Sequence, residues 1–408
     1  MDYVEPLLRR ALLATTLLLT CLLGFLTSYV LVLLALAAAV LLGIRGQLHA
    51  NLASRWFLVC FLAVTAIIVI NTREPRDLLH AINLIALLYS APLTSLYQRA
   101  ASPTNTETVA NLALAGTIVG LGYAIFDAAM LGHPRAGSLT TDPIRLADTA
   151  LILGFLSLMG LLGRTDRLRW IYLPGPVLAL ATIYLSGSRG PLLAYTPMLI
   201  VAAFLLIQRK RTAAVIGAAC LAVFGAALGV ATLLGNRSAS LIEVLTMVSR
   251  GAAADEATRI RMALYRAGWD AFLQSPIFGH GWTRVMSSAM EFLPDADRIQ
   301  AQLPHLHNEA LNFAVFGGIV GLAIYVTLLA IPIWACLRTP RDSQYRARFY
   351  GCALLTVSYF LLGLPDTMLS FELHIALYVA ITAILLGYCR DAPPTGSRAT
   401  ARELSTGA

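Results

Sequence analysis

The segment His305-Leu306-His307-Asn308-Glu309 sets two imidazoles and a carboxylate at the mouth of a long apolar run that contains Gly318 and Gly321. Such groups are expensive at a membrane edge and seldom idle there. Three chemistries suit them. His-x-His can contribute to a zinc site, although no further His, Cys, Asp or Glu set stands at a diagnostic spacing. Asn308 is a good N-cap and Glu309 suits a first helical turn, so the cluster can also be a helix start. The third chemistry is general base catalysis, because a neutral imidazole, with an ordinary pKa of about 6.5, accepts a proton from a hydroxyl.

Two arginine-bearing clusters accompany it. Ser186-Gly187-Ser188-Arg189-Gly190-Pro191 joins two apolar runs, where small residues allow a ligand close to the backbone; its plain alternative is a tight turn with a snorkelling arginine. Thr258-Arg259-Ile260-Arg261 is followed by Tyr265, Arg266 and the stretch Ser275-Pro276-Ile277-Phe278-Gly279-His280-Gly281. Its plain alternative is an interfacial helix touching lipid headgroups. Taken together, the clusters combine forked, permanently charged donors with a base. Arginines suit phosphate oxygens. At bilayer level outside the cell, the natural phosphate-bearing partner is a lipid-linked pyrophosphate, whose departure from a sugar needs its growing charge stabilised. Arginines do this without a metal, so no metal and no cofactor are expected.

The elements that must position these groups are membrane helices. The chain has 408 residues, 58% apolar and only 13% charged, with a mean hydropathy of +0.72. That composition indicates an all-α, polytopic membrane protein. Stretches near the roughly 20 residues that span hydrocarbon fall at about 11–27, 29–44, 56–71, 78–97, 108–131, 146–163, 169–187, 190–207, 212–234, 308–334, 349–364 and 372–388, or about twelve spans. The first is read as a retained helix, since no A-x-A-like cleavage site follows it. The organisation expected is residues 1–234 with spans one to nine, a large outer loop over 235–307, spans ten to twelve over 308–390, and a disordered tail over 391–408.

With the N-terminus inside, eighteen basic residues fall on the inside, while the short outside loops keep five: Arg73, Arg76, Arg135, Arg145 and Arg189. This bias sets both termini in the cytoplasm. The long loop is exempt from the charge rule, and a loop of that length is seldom structureless. Within it, Ile260, Leu264, Ala267 and Ala271 recur at helical spacing up to Pro276, which predicts an amphipathic helix on the outer boundary.

The net charge of +8 belongs to topology-setting loops, so nucleic acid is not an expected partner. The six cysteines form no CxxC pair and read as packing residues. Asp127, Asp148, Asp366, Glu372 and His374 all map near outer helix ends. An ion-coupled transporter would place carboxylates near the midplane, so a transporter of lipid-linked oligosaccharide is the weaker class.

The motifs together resemble the bacterial O-antigen ligase/O-antigen polymerase superfamily of multispan membrane glycosyltransferases. The resemblance rests on Ser188-Arg189-Gly190 opening a span, and on an arginine about fifteen residues before Pro276-Ile277-Phe278-Gly279-His280-Gly281. It also rests on His307-Asn308, followed after nine residues by Gly318-x-x-Gly321. Arg261 has the fifteen-residue spacing and Arg259 is the second candidate; the family often carries Trp where this chain has Tyr265. The resemblance covers roughly residues 185–325. It implies transfer of a glycan from undecaprenyl pyrophosphate on the periplasmic side of the inner membrane. His307 would be the base and Arg189 and Arg261 the pyrophosphate contacts. Arg259, Arg266, His305, Asn308, Tyr265 and Ser188 would line the substrate site. Inversion at the anomeric carbon follows for a single displacement. The length, the single large outer loop and the position of His307 look more like a ligase, with lipid A-core oligosaccharide as acceptor. A polymerase joining lipid-linked repeats is the alternative.

Overall fold

The computed structural model describes residues 3–98, 105–207, 211, 218, 222, 225, 256–294 and 305–389. Among the described residues all regular structure is helical. The helices are α1 (Val4–Leu13), α2 (Leu26–Ile44), α3 (Leu52–Asn71), α4 (Ser90–Gln98), α5 (Asn105–Ala129), α6 (Pro143–Ser157) and α7 (Pro174–Ser186). They continue with α8 (Arg189–Leu206), α9 (Glu256–Gln274), α10 (Val285–Met290), α11 (Glu309–Leu337), α12 (Tyr345–Leu362) and α13 (Glu372–Gly387).

Eight helical segments among the described residues are long and apolar enough to cross a membrane, and they match eight of the twelve expected spans. Of the other four, 349–364 falls in the helix α12, and several stretches carry local features. The first expected span breaks: α1 passes into a π-helical turn over Ala14–Leu18, a short helix Thr20–Leu23 follows, and the chain turns at Gly24 with φ +53°. Residues 78–97 enter through a 3-10 helix, Pro75–Tyr89, whose start is closed by a capping box between Glu74 and Asp77. The last stretch forms α13, only 16 residues long. The expected span 212–234 and the tail lie almost wholly outside the described residues.

α13 is apolar all round and is buried from Leu373 to Gly387, so it acts as a central post for the bundle. α6 is buried along its whole length too, started by Asp142, whose carboxylate accepts from the amides of Ile144 and Arg145. Packing these two inside leaves the lipid-type side chains of α2 and α3 outward, Leu33, Leu36, Leu62 and Ile70 among them.

The expected amphipathic helix is α9. Leu264, Ala267 and Ala271 are buried, but in protein rather than against lipid: a Cβ at Gly268 would press on Leu306 and Leu311 at the start of α11. The seating is completed by residues 276–281. α11 is broken at Gly317 and Gly318, the latter at φ +62°, which strips the Val315 and Phe316 carbonyls of their helical donors. The amides of His280 and Gly281 donate to these two carbonyls at 2.9 Å each, and Ile319 N–H donates to the Pro276 carbonyl at 2.7 Å. Gly279 lies against Phe316 and Gly318 against Pro276 and Ile277, both closer than any side chain would allow. Gly318→Ala should therefore lower stability by at least ~2 kcal/mol. Gly122→Ala, at a helical glycine facing open space, should be neutral or better. Thermal unfolding in detergent compares the two; equal midpoints would contradict the interlock.

Candidate functional site

One end of the bundle gathers the start of α6, the start of α8, the end of α12 and the start of α11. The α7–α8 turn is built by Gly187 in the left-handed region (φ 60°) and by Ser188 as the extended residue before α8. Arg135 clamps this turn, its Nε donating to the Ser186 carbonyl at 2.9 Å and its Nη2 to Ser188 Oγ at 3.2 Å. Ser188 is buried and held by Arg135. Arg189, the first residue of α8, lines an open cavity of ≈ 100 Å³ together with Arg135, Asp148, Arg261, Pro365 and Asp366. The two arginines singled out by spacing, Arg189 and Arg261, thus face one space although α7–α8 and α9 are far apart in sequence. Arg259 instead pairs with Glu256 at 2.6 Å, and Arg266 is exposed and outside the cavity lining.

His307 reaches this cavity through Asp366. Its Nδ1 lies 3.2 Å from Asp366 Oδ1, and His305 Nε2 lies 3.7 Å from the same oxygen. Among the described residues His307 is the one non-glycine with positive φ, at 50°. Its unusual backbone is held on three sides. Tyr265 Oη donates to the His307 carbonyl at 2.7 Å, the His307 amide donates to His305 Nδ1 at 3.3 Å, and Asn308 caps α11 through Leu311 N–H at 2.9 Å. Tyr265 and Asn308 therefore shape the turn that presents His307. Burial pushes the Tyr265 phenol up to about 12, offset in part by Arg261 and reinforced by Asp366, so it remains a proton donor.

The loop between α12 and α13 is latched onto the same turn. Glu309, fully buried, accepts from the amides of Met368, Leu369 (2.8 Å) and Ser370 (3.1 Å) and from Ser370 Oγ. The Glu309 amide donates to the Gly363 carbonyl at 2.8 Å, and Asn308 Nδ2 donates to the Leu364 carbonyl at 3.0 Å. These bonds fix Asp366 against His307. Arg145 supports it from behind: Nη2 is 3.5 Å from Asp366 Oδ2, Nη1 donates to the Thr367 carbonyl at 2.6 Å, and the guanidinium sits 4.1 Å over the Phe371 ring. Burial alone would raise the Asp366 carboxyl. Arg145, the hydrogen bond from His307 and the nearby His305 outweigh it and hold the group well below the usual carboxylate range.

An ionised Asp366 only accepts hydrogen bonds, so His307 Nδ1 carries its proton and Nε2 keeps its lone pair. The arrangement sets an oriented imidazole next to a cleft lined by three arginines, Arg135, Arg189 and Arg261. His305, His307 and Asp366 each offer a ligand atom within 4.8 Å of the others, so they could hold a metal ion. An ion on His307 Nδ1 would displace that proton and leave Nε2 as the N–H, so metal binding and base chemistry exclude each other here. The third ligand comes from 59 residues away, which no local spacing could reveal. Asp366 stands out in the sequence only as a polar residue near a helix end, and Arg145 and Arg135 only as outside-loop arginines.

Residues 174–326 match the family model described as O-Antigen ligase. No curated protein matches the chain. The matched stretch contains Arg189, Arg261 and His307, while Arg145 and Asp366 lie outside it.

Burial, opposed by Asp366, lowers His305 from 6.5 to about 4. In that interval the unfolded chain binds a proton that the folded chain refuses. Stability from this residue is complete above pH 6.5 and falls as the pH drops toward 4, by at most about 3 kcal/mol. Asp366, with its depressed pKa, adds stability that is lost only in stronger acid. Unfolding midpoints in detergent between pH 7 and 4 should decline, and His305→Gln should flatten the decline; parallel curves would refute the assignment.

Proposed function

We propose that this chain, a member of an O-antigen ligase-type family, transfers a glycan from a lipid-linked pyrophosphate to the oligosaccharide of lipid A-core on the periplasmic face of the inner membrane. The observation that carries the reading is the meeting of Arg189 and Arg261 in one cavity with the carboxylate that orients His307. The family match over residues 174–326 and eight apolar helices support a membrane enzyme of lipopolysaccharide biosynthesis.

In the proposed reaction His307 Nε2 removes the proton of the acceptor hydroxyl as its oxygen attacks the anomeric carbon. The bond from that carbon to the pyrophosphate oxygen breaks, and its electron pair leaves with the pyrophosphate. Arg189 and Arg261 stabilise the charge that grows there, at about 1.5–3 kcal/mol for each charge-assisted hydrogen bond. Asp366 stabilises the imidazolium, and Arg145 keeps Asp366 ionised and in place. Fixed guanidinium charge takes the place a divalent cation would otherwise fill, so a chelator should leave the rate unchanged. Attack opposite the leaving group inverts the anomeric carbon.

Three outcomes test this. Deleting the gene and running the lipopolysaccharide on a gel should remove every O-antigen-bearing band, including core plus one repeat. A surviving one-repeat band would indicate a polymerase joining lipid-linked repeats, and an unchanged pattern would refute both readings. Arg189→Ala and Arg261→Ala should each lower transfer by roughly 10- to 100-fold, measured with purified enzyme and donor. The product linkage, read by nuclear magnetic resonance, should be inverted relative to the donor; retention would overturn the single displacement.

A further inference from the structure

A second cavity, of ≈ 620 Å³, opens where α3 ends and the 3-10 helix Pro75–Tyr89 begins. Its lining includes Arg73, Arg76, Asp77, His80, Thr283 and Arg284. The carboxylates present are engaged. Glu74 pairs with Arg76 at 2.6 Å, and Asp77 Oδ2 accepts from the amides of Arg73 (3.0 Å) and Glu74 (3.2 Å) to close the capping box. Arg284 is half-buried and pinned, its Nη2 donating to the Asn71 carbonyl at 3.0 Å, while Asn71 Nδ2 donates to the Phe278 carbonyl at 3.3 Å. Burial, and then the charge of Arg73, press the Arg284 guanidinium below its ordinary value, with Asp77 opposing. A pinned, half-buried Arg284 and an exposed Arg73 lining one concave site are suited to a phosphate.

The surroundings narrow the ligand. The cavity lies at the turn between two candidate spans, Leu52–Asn71 and Pro75–Gln98, and so at headgroup level. Leu79 lines it, and Ile82 on the same 3-10 helix and Ile277 and Phe278, whose carbonyl accepts from Asn71, are exposed apolar side chains suited to acyl chains. The Gly281 amide ties this region to Phe316 in α11, the helix that begins two residues after His307. This cavity shares no lining residue with the one at Arg189, Arg261 and Asp366, so a ligand serving both needs a phosphate followed by an extended polar part, as in a lipid that carries an oligosaccharide.

We propose that the Arg73–Arg284 cavity binds the phosphate-bearing headgroup of the acceptor glycolipid, leaving its oligosaccharide to extend toward His307. The proposal rests on the transferase reading above and names a site for its acceptor. The test uses the full chain in nanodiscs of zwitterionic phospholipid, with radiolabelled lipid A-core as probe, native or chemically dephosphorylated. Binding and steady-state transfer are both measured for wild type, Arg73→Gln and Arg284→Gln. Expected is at least a fivefold weaker binding and higher acceptor KM in each variant with native acceptor, with the donor KM within twofold of wild type. Wild type should show the same loss with dephosphorylated acceptor, which should then be insensitive to either substitution. Equal affinity of wild type and variants for native acceptor would overturn the site. So would competition by added phosphatidylglycerol that abolishes the difference, since the cavity would then be a general anionic-lipid contact. Failure of the transferase reading looks different: wild type binds the acceptor, sensitive to Arg73, but transfers no glycan.

Discussion

The break in α11 at Gly317–Gly318, filled by the backbone of residues 276–281, is the contact on which the candidate site depends. A helix interrupted inside a low-dielectric bundle leaves carbonyls that must find donors. Here His280 and Gly281 supply them, and Ile319 in turn donates to the Pro276 carbonyl. The exchange is possible only because Gly279 and Gly318 let two backbones touch. It fixes the far end of α9, so the near end comes to the start of α11. Tyr265 then reaches the His307 carbonyl, and Arg261 enters the cavity of Arg189.

The charges follow from that frame. Buried Arg145 and Asp366 and half-buried His307 form a series in which each group makes the next tolerable. A buried carboxylate without partners would be neutralised rather than ionised. With Arg145 on one oxygen and His307 on the other it remains an acceptor, and that selects the His307 tautomer. Glu309 performs a different task, holding the loop that carries Asp366 through backbone amides. Because these groups sit at helix ends packed against α6 and α13, their geometry is set before any ligand arrives, as catalysis by preorganised charge requires.

His307, Arg189 and Arg261 were legible in the sequence because each belongs to a short local pattern. The glycines at 279 and 318 were legible as motif positions, but not as the two halves of one interlock. Asp366 and Arg145 were not legible as site residues: they meet His307 through packing between elements, and Arg145 touches Thr367 across 222 residues. For Tyr265 and Ser188, expected to line the substrate site, the structure adds hydrogen bonds to the His307 carbonyl and to Arg135 that no local pattern reveals. The all-helical class followed from hydropathy. Eight of the expected spans followed too, whereas the turn at Gly24 inside the first stretch is a backbone feature that hydropathy does not register. The apolar stripe of α9 was correctly placed, but periodicity alone does not say whether such a stripe meets lipid or protein.

The proposed role of His307, a base held by Asp366 while the arginines hold the pyrophosphate, is tested most directly by single-turnover transfer with the lipid-linked donor already bound, in wild type, His307→Ala and Asp366→Asn. Donor affinity should be unchanged in both variants, with the transfer rate down by at least about 100-fold in His307→Ala and substantially in Asp366→Asn. Transfer at the wild-type rate in His307→Ala, or a loss explained wholly by weaker donor binding, would contradict it.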